Sequence, residues 1–375
     1  MKLSDFDYNL PKNLIAQKPA SPRDHSRLLV FNRETKKVEH KHFYDIINYL
    51  RPGDVLVLNN SKVFPARLIG KKIETGGKIE VFLLYPASIT PPASPPPLSK
   101  GRIKGDSWQC LVGGSGRKEG LEVKFQQGLS CKIIKDNKDG TWLVKFNKNK
   151  KELMKIAERI GKTPTPPYIK NLPAGVKQKY QTVFASADKI GSVAAPTAGL
   201  HFTKGLLKKI KRRGVQIECL TLHVGLGTFA PVKTDNIKKH RMHGERAEIN
   251  INAIQRIVRA KSEGNRVVAV GTTSARALEG ILNKPALELL SRLSSKENGI
   301  QTAVDIFIYP GYKFKIVDAL ITNFHLPKST LLMLAAAFIE NKNKNKGVIL
   351  AKKIYQTAIR KKYRFYSFGD AMLMT

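Results

Sequence analysis

The sequence predicts an α/β protein in which a Rossmann-like α/β domain contains an inserted small antiparallel β-barrel domain. Two patterns along the chain support this class. Short runs with period-two alternation follow one another from residue 54 to residue 146, whereas helical and strand patterns alternate from residue 151 onward. We therefore place the α/β domain at residues 1–60 and 151–375 and the inserted barrel at residues 61–150.

The barrel is predicted from short runs that are bounded by turn residues. Each run alternates apolar and polar residues or is rich in β-branched residues, as expected for strands with a buried face. Short strands at this spacing are typical of a small antiparallel barrel. The runs are DVLVLNN, KVFPARLIGKK, KIEVFLLYP, WQCLVGG, LEVKF, SCKIIKD and TWLVKF.

The α/β pattern starts with the strand SRLLVF and a helix at residues 44–50. Thr203 is a suitable N-cap for a basic helix that Gly214 ends, and Asn250 or Asn252 can cap the next helix. The other predicted elements are strands at 215–223, 266–271, 304–309 and 317–322, and helices at 253–261, 275–282 and from 331 onward.

The chain is strongly basic, with 66 Lys and Arg against 29 Asp and Glu and a formal net charge of +37. Such a field attracts polyanions, so we expect a nucleic-acid partner. The alternative is a general lysine bias. Because zinc-finger, RRM and helix-turn-helix patterns are missing, an enzyme cleft is the expected binding element.

Nothing in the sequence indicates secretion or membrane insertion. The N-terminus meets charge and proline before an apolar run forms, and the longest apolar run is too short to cross a bilayer. Three widely spaced cysteines form neither a disulfide framework nor a zinc knuckle. We expect a cytoplasmic protein.

Two stretches without charged residues indicate a ligand pocket. They are residues 191–203 (GSVAAPTAGLHFT) and 221–231 (TLHVGLGTFAP), and each contains one histidine, His201 or His223. Glycine allows close approach of the backbone to a ligand, and histidine transfers protons near neutral pH. The alternative is a pair of buried turns whose imidazoles are hydrogen-bonded within the protein.

Two segments at predicted helix starts are candidate anion sites. The strand-to-helix turn at residues 271–274 (GTTS) offers free amide groups and hydroxyls, with Arg276 nearby. The second segment contains Lys328, Ser329 and Thr330. For residues 271–274, the alternative to an anion site is ordinary N-capping of the helix.

Two further patterns resemble known motifs without completing them. Gly225 and Gly227 match the glycine spacing of a dinucleotide fingerprint, but no helical pattern follows them. The run HRMHGE at residues 240–245 has two histidines and a glutamate without an evident third ligand, so we favour an acid–base or RNA-contacting loop there over a metal site.

Taken together, these segments resemble one family, the S-adenosylmethionine:tRNA ribosyltransferase-isomerases of queuosine biosynthesis. The similarity runs from residue 14 to residue 373. The matching motifs are LIAQKPASPRDHSRLLV, LNNSKVFPARL, YQTVFA, SVAAPTAGLHFT, TLHVGLGTFAPV, HRMHGE, AVGTTSARALE, TNFHLPKSTLLML and YRFYSFGDAML.

The resemblance implies an α/β domain with an inserted barrel, and it implies a reaction. The ribosyl part of S-adenosylmethionine is transferred to the aminomethyl group of 7-aminomethyl-7-deazaguanine at the tRNA wobble position. The ring rearranges to an epoxycyclopentane, and adenine and methionine leave. The partner is then the anticodon stem-loop of queuosine-type tRNAs, with S-adenosylmethionine as co-substrate and no metal or redox cofactor. We expect a monomer.

That reaction needs proton transfer, an anion site for the methionine carboxylate and a partner for the sulfonium. The proton-transfer candidates are His201, His223, His243 and Glu245, and the sulfonium candidates are Phe229, Tyr366 and Asp370. The expected substrate-binding residues are Thr197, Gly199, Gly225, Gly227, Phe229, Thr272, Thr273, Ser274, Arg276, Lys328, Ser329 and Thr330. Arg23, Arg27 and Arg67 are expected to bind the RNA backbone. The alternative functions are a tRNA methyltransferase that uses the same donor and an RNA-binding protein without turnover.

Overall fold

The structure, a computed structural model, describes residues 1–87, 106–164, 168–169, 179–225, 232, 234–242, 244–282, 298–340 and 346–375. Among these residues the strands β1 to β17 are, in chain order, Arg27–Phe31, Val38–His42, Val55–Asn59, Lys62–Val63, Arg67–Lys72, Lys78–Pro86, Ser107–Gly113, Glu122–Lys124, Ser130–Asp136, Trp142–Phe146, Ile190–Ser192, Gln216–Leu222, Glu245–Asn250, Val267–Val270, Gly299–Val304, Ala319–Asn323 and Ala371–Met374. The helices α1 to α6 are Lys150–Ile160, Lys204–Arg212, Ile251–Ser262, Thr272–Leu282, Thr330–Glu340 and Gly347–Arg360.

The chain divides into two compact units. The α/β unit consists of Met1–Ser61, Pro167–Lys189 and Ala195–Thr375, and the barrel unit consists of Lys62–Pro166 and Ile190–Ala194. The boundary predicted at residue 151 is therefore wrong. Helix α1 belongs to the barrel unit because its apolar face packs into the barrel core, and β11 belongs there because it pairs with β4.

The barrel unit contains a closed barrel of six strands in the order β10-β7-β6-β5-β8-β9, and every neighbouring pair is antiparallel. Alternate residues of its strands are buried, as in β5 and β7, so one face of each strand fills the interior. The predicted antiparallel barrel is confirmed.

The α/β unit is built on a nine-stranded sheet in the order β15-β13-β12-β3-β14-β16-β17-β1-β2. The four strands β12, β3, β14 and β16 are mutually parallel, whereas β13, β15 and β17 run antiparallel to their neighbours toward the centre. All residues of β3, β14 and β16 are buried, as expected for central strands covered on both faces. The α/β class is confirmed, and its parallel core is flanked by antiparallel strands.

Helix caps in this unit follow the sequence closely. Thr203 Oγ1 accepts a hydrogen bond from the Leu206 amide, and Asn250 accepts one from the Asn252 amide, so both residues cap helices as predicted. No helix in the described ranges is long and apolar enough to cross a membrane.

Three predicted elements need correction. The run DVLVLNN forms β3 of the large sheet instead of a barrel strand. The predicted helix at 44–50 is the 3-10 helix Phe43–Tyr49. The predicted strand at 304–309 lies earlier, at Gly299–Val304, because that segment pairs with β13 along its whole length while the Ile306 carbonyl beyond it accepts from Arg276.

Candidate active site

One edge of the large sheet brings most of the predicted site residues together. It is the carboxyl edge of the parallel strands β12, β3, β14 and β16, which end at Leu222, Asn59, Val270 and Asn323. The antiparallel strand β13 starts at this edge with Glu245, and β17 starts there directly after Asp370. Ligands of open α/β sheets bind outside the carboxyl ends of the strands, so we take this edge as the candidate site.

At the β16 end of the edge, His201 is buried and hydrogen-bonded at both ring nitrogens. Its Nδ1 lies 2.7 Å from Ser26 Oγ, and its Nε2 lies 3.2 Å from Asn323 Nδ2. The same Asn323 Nδ2 donates to the Tyr366 carbonyl oxygen at 3.1 Å, which fixes the orientation of the amide. Because Nε2 must then accept, the ring proton lies on Nδ1 and is donated to Ser26.

Burial lowers the pKa of His201 to about 4, and the nearby carboxylate of Asp370 opposes this shift only in part. The ring also stacks on Phe43, with 5.0 Å between centroids. At neutral pH His201 is therefore a neutral imidazole with both nitrogens engaged. This geometry corresponds to the hydrogen-bonded buried histidine that the sequence left open as an alternative, and it does not favour the predicted proton-transfer step.

His223 lies toward the other end of the edge, directly after β12. It is half-buried, and its backbone amide donates to the Arg246 carbonyl at 2.9 Å. Strands β12 and β16 are separated by β3 and β14, which puts the two strands about 14 Å apart at the usual spacing of neighbouring strands. The structure thus brings both histidines to one edge without placing them side by side.

Glu245 and Arg276 form a buried ion pair that contacts the segment following β12. Arg276 Nη1 lies 2.6 Å from Glu245 Oε2, and both side chains are at least 95% buried. The other oxygen, Glu245 Oε1, accepts the Gly225 amide at 2.9 Å, and Arg276 also donates to the carbonyls of Val304 and Ile306. A carboxylate held this way positions the loop at Gly225.

The N-terminus of α4 lies at the end of β14, between the region of His201 and the region of His223. Gly271 precedes it with φ of +90°, a conformation that favours glycine. Ala275 N donates to Gly271 O, so the amides of Thr272, Thr273 and Ser274 have no acceptor within the helix. Ser274 Oγ donates to the Val270 carbonyl, whereas the buried Thr273 Oγ1 has no hydrogen-bond partner among the described residues.

The second candidate anion site already has a counter-charge. Lys328 Nζ lies 2.7 Å from Asp7 Oδ2, and this contact lowers the pKa of Asp7. Ser329 caps α5 by accepting from the Leu332 amide, and Thr330 is the first residue of that helix. Because Asp7 neutralises Lys328, the N-terminus of α4 is the better anion site of the two.

Three other predicted residues have structural partners. Thr197 Oγ1 donates to Asn323 Oδ1 at 3.1 Å. A Cβ on Gly199 would lie only 2.5 Å from Phe184 Cζ, so glycine is needed there for packing. Asp370 is 1% exposed and accepts from the Arg364 guanidinium at 2.8 Å and from the Arg27 amide.

The three arginines expected to bind RNA are also engaged within the protein. Arg23 donates to the carbonyls of Gln181 and Lys179, and burial lowers its pKa. Arg27 donates to the Lys361 carbonyl and covers the Tyr363 ring, with 3.8 Å from its Cζ to the centroid. Arg67 pairs with Glu80 inside the barrel unit. None of the three presents a guanidinium without protein contacts.

Some predictions fall outside the described residues, namely those for Gly227, Phe229 and His243. Sequence reasoning also missed Ser26 and Asn323, the partners of His201. Asn323 lies in the motif TNFHLP, and an amide at a strand end is the signal that could have drawn attention to it.

Comparison with known proteins places this geometry in a family. The family model described as "Queuosine biosynthesis protein" matches residues 3–374. The S-adenosylmethionine:tRNA ribosyltransferase-isomerases of Thermotoga petrophila and Sulfurihydrogenibium sp. are 46% and 48% identical over 376 residues, covering 100% of each chain. A crystal structure of S-adenosylmethionine tRNA ribosyltransferase from Thermotoga maritima is 36% identical, with a TM-score of 0.51 over 99% of this chain and 100% of that one. The family resemblance of the motifs is confirmed: the chain belongs to the queuosine biosynthesis protein family.

Proposed function

We propose that the protein transfers and isomerises the ribosyl part of S-adenosylmethionine onto 7-aminomethyl-7-deazaguanine at the wobble position of tRNA. The products are epoxyqueuosine-containing tRNA, adenine and methionine. Family membership over almost the whole chain and the names of its relatives support this activity. The observation in the site that supports it best is the α4 N-terminus, where the Thr273 hydroxyl is buried without a partner in the part of the chain that the structure describes.

That N-terminus suits the methionine carboxylate of the donor. Backbone amides and the positive end of a helix dipole stabilise an anion, and a buried hydroxyl supplies one further donor. Thr273 Oγ1 is one of several buried polar atoms without a partner among the described residues, and its position at the start of α4 is what suits it to a bound carboxylate. The carboxylate would accept from Thr273 Oγ1 and from the amides of Thr272 to Ser274.

Proton transfer falls best to His223 among the described histidines at the edge. It is only half-buried and follows β12 beside the loop that Glu245 positions, whereas His201 is neutral and engaged at both nitrogens. A base must remove a proton from the carbon next to the sulfonium, and an acid must protonate the departing adenine. A positioned imidazole contributes typically about 10²–10⁴-fold to such steps.

In this proposal S-adenosylmethionine is a co-substrate, no metal or redox cofactor takes part, and the chain acts as a monomer. The anticodon stem-loop supplies the wobble base, and a tRNA substrate would place the protein in the cytoplasm. Light scattering of the purified protein tests the monomer, since a dimer would double the measured mass.

The test of the activity is identification of every product. The protein is incubated with S-adenosylmethionine, labelled separately in the ribose and in the methyl group, and tRNA carrying the deazaguanine precursor. Ribosyl transfer gives ribose label in the tRNA together with adenine and methionine. S-adenosylhomocysteine with methyl label in the tRNA would indicate a methyltransferase, and the absence of all these products would indicate RNA binding without turnover.

A further inference from the structure

Three exposed rings form a cluster at the surface of the α/β unit. The Tyr44 side chain is 39% exposed, although large apolar side chains are usually covered. The His42 ring stacks on it, with 5.3 Å between centroids and 10° between planes, and the His25 ring meets it edge-on at 5.2 Å. His25 and His42 are exposed as well. We call His25, His42 and Tyr44 the ring cluster.

The ring cluster lies at the same sheet edge as the candidate active site. His42 ends β2 opposite Arg27, the first residue of β1, and β1 runs parallel to β17 from the carboxyl edge. The residues next to the rings contact His201 directly, since Ser26 Oγ bonds its Nδ1 and Phe43 stacks on its imidazole. Bases held on the rings would therefore lie along the sheet edge that carries the candidate site, four strand spacings (about 19 Å) from the end of β14.

A row of cations starts beside the rings. Thr203, the N-cap of α2, donates to the Asp24 carboxylate at 2.8 Å, which brings the first turn of α2 next to His25. Lys204, Lys208 and Lys211 follow at spacings of four and three residues, so they share one face of the helix, and all three are exposed. The first turn of α2 contains no acidic residue, and like charges at this spacing destabilise an isolated helix.

Flat exposed rings beside a row of ammonium groups fit single-stranded RNA. Every nucleic-acid base can stack on an aromatic or imidazole ring, so such stacking does not depend on the RNA sequence. Lysines neutralise the phosphates that connect the nucleosides. We propose that the ring cluster and the lysine face of α2 form the docking surface for unpaired nucleotides of the RNA loop that flank the modified base. This inference rests on the proposed function only for the identity of the RNA, because its test measures binding.

The ring half is tested with variants that change stacking without changing charge. Tyr44→Ala is expected to weaken binding of an RNA stem-loop by about 10-fold, because base–ring stacking is lost. Tyr44→Phe keeps the ring and is expected to bind like wild type. Binding of the blunt duplex of the same stem should not change. A matched control, Ile349→Ala at an exposed position of α6, should bind both RNAs normally.

The lysine half is tested by the salt dependence of the same binding reaction. Replacing Lys204, Lys208 and Lys211 with Gln is expected to reduce the slope of log affinity against log salt by about two. The control replaces Lys150, Lys151 and Lys155 of α1 with Gln, which removes the same charge from another helix, and the slope should stay at its wild-type value.

Two results would overturn the inference. In the first, Tyr44→Ala binds the stem-loop as tightly as wild type. In the second, Tyr44→Ala and the α2 triple variant weaken stem-loop and duplex equally, with circular dichroism and thermal midpoint unchanged. A failure of this inference can be distinguished from a failure of the proposed reaction, because RNA docking at this surface is measured without S-adenosylmethionine or turnover.

Discussion

Two neighbouring regions of the carboxyl edge, at the ends of strands β16 and β14, differ in how completely their polar atoms are satisfied. At the β16 end, His201, Asn323 and Asp370 have each named hydrogen-bonding atom engaged by a protein partner. At the β14 end, α4 begins with amides that lack helical acceptors and with a buried Thr273 hydroxyl that has no partner among the described residues. From this difference we propose that the first region acts as a scaffold and that the second receives a ligand.

The difference separates residues that look alike in the sequence. Both regions are rich in small and hydroxylated residues, and both were expected to bind substrate. A buried polar group with all partners present stabilises the native state, but one without a partner costs free energy unless a ligand completes its bonds. Mutations at the two ends should therefore divide into losses of stability and losses of binding.

The largest expected effect comes from breaking the buried Glu245–Arg276 pair, whose polar atoms are engaged by protein partners like those at the end of β16. Arg276→Met leaves Glu245 buried without its counter-charge, which should lower the free energy of unfolding by about 3–5 kcal/mol. Urea denaturation followed by circular dichroism measures it. The double variant Glu245→Met/Arg276→Met should recover much of this loss, because no unpaired charge stays buried. A single variant as stable as wild type would mean that the pair is solvated.

A somewhat smaller effect is expected from pH at the β16 end. The pKa of His201 is about 4 in the folded protein, below its ordinary value of about 6.5, so protons bind the unfolded chain preferentially. Its contribution of about 3 kcal/mol is fully present above about pH 6.5 and is lost as pH falls toward 4.

The check is the free energy of unfolding measured between pH 7 and pH 4 for wild type and His201→Gln. The variant should show a shallower decline. It keeps part of the slope because burial also lowers the pKa of His325, to about 3. Identical slopes for the two proteins would show that His201 is not buried as a neutral imidazole.

The next effect tests the side-chain amide of Asn323, which is hydrogen-bonded to Thr197, His201 and Tyr366. Asn323→Ala removes the acceptor of Thr197 and donors to His201 and Tyr366, and we expect a loss of about 2 kcal/mol in unfolding free energy. The KM for S-adenosylmethionine, measured by adenine release, should change less than twofold under conditions where the variant is folded. A large rise in KM with unchanged stability would move Asn323 from the scaffold to the binding site.

How much the sequence could predict depended on the range of the interactions involved. The caps at Thr203 and Asn250 and the alternation of the barrel strands are local, and the structure contains them as expected. The partners of His201 could not be predicted in this way, because Ser26 and Asn323 lie 175 and 122 residues away in the chain.

The long range of the interactions also explains why the sequence could not show what the three predicted RNA-binding arginines contact. The sequence showed Arg23, Arg27 and Arg67 as cations available to RNA, but their carbonyl, aromatic and carboxylate partners come from other segments of the folded units. Charge can be counted from composition, whereas its availability depends on tertiary contacts. The contrast between engaged and unengaged polar groups became visible only in the structure.

Thr273→Val tests that contrast most directly, because it removes only the hydroxyl and keeps the shape of the side chain. Two quantities are measured on the same protein: the free energy of unfolding without ligand and the Kd for S-adenosylmethionine by calorimetry. We predict that stability is unchanged or higher and that the Kd rises about 10-fold, the effect of losing about 1.4 kcal/mol from one hydrogen bond to a charged group. A loss of stability with an unchanged Kd would contradict the assignment of the α4 N-terminus to the ligand.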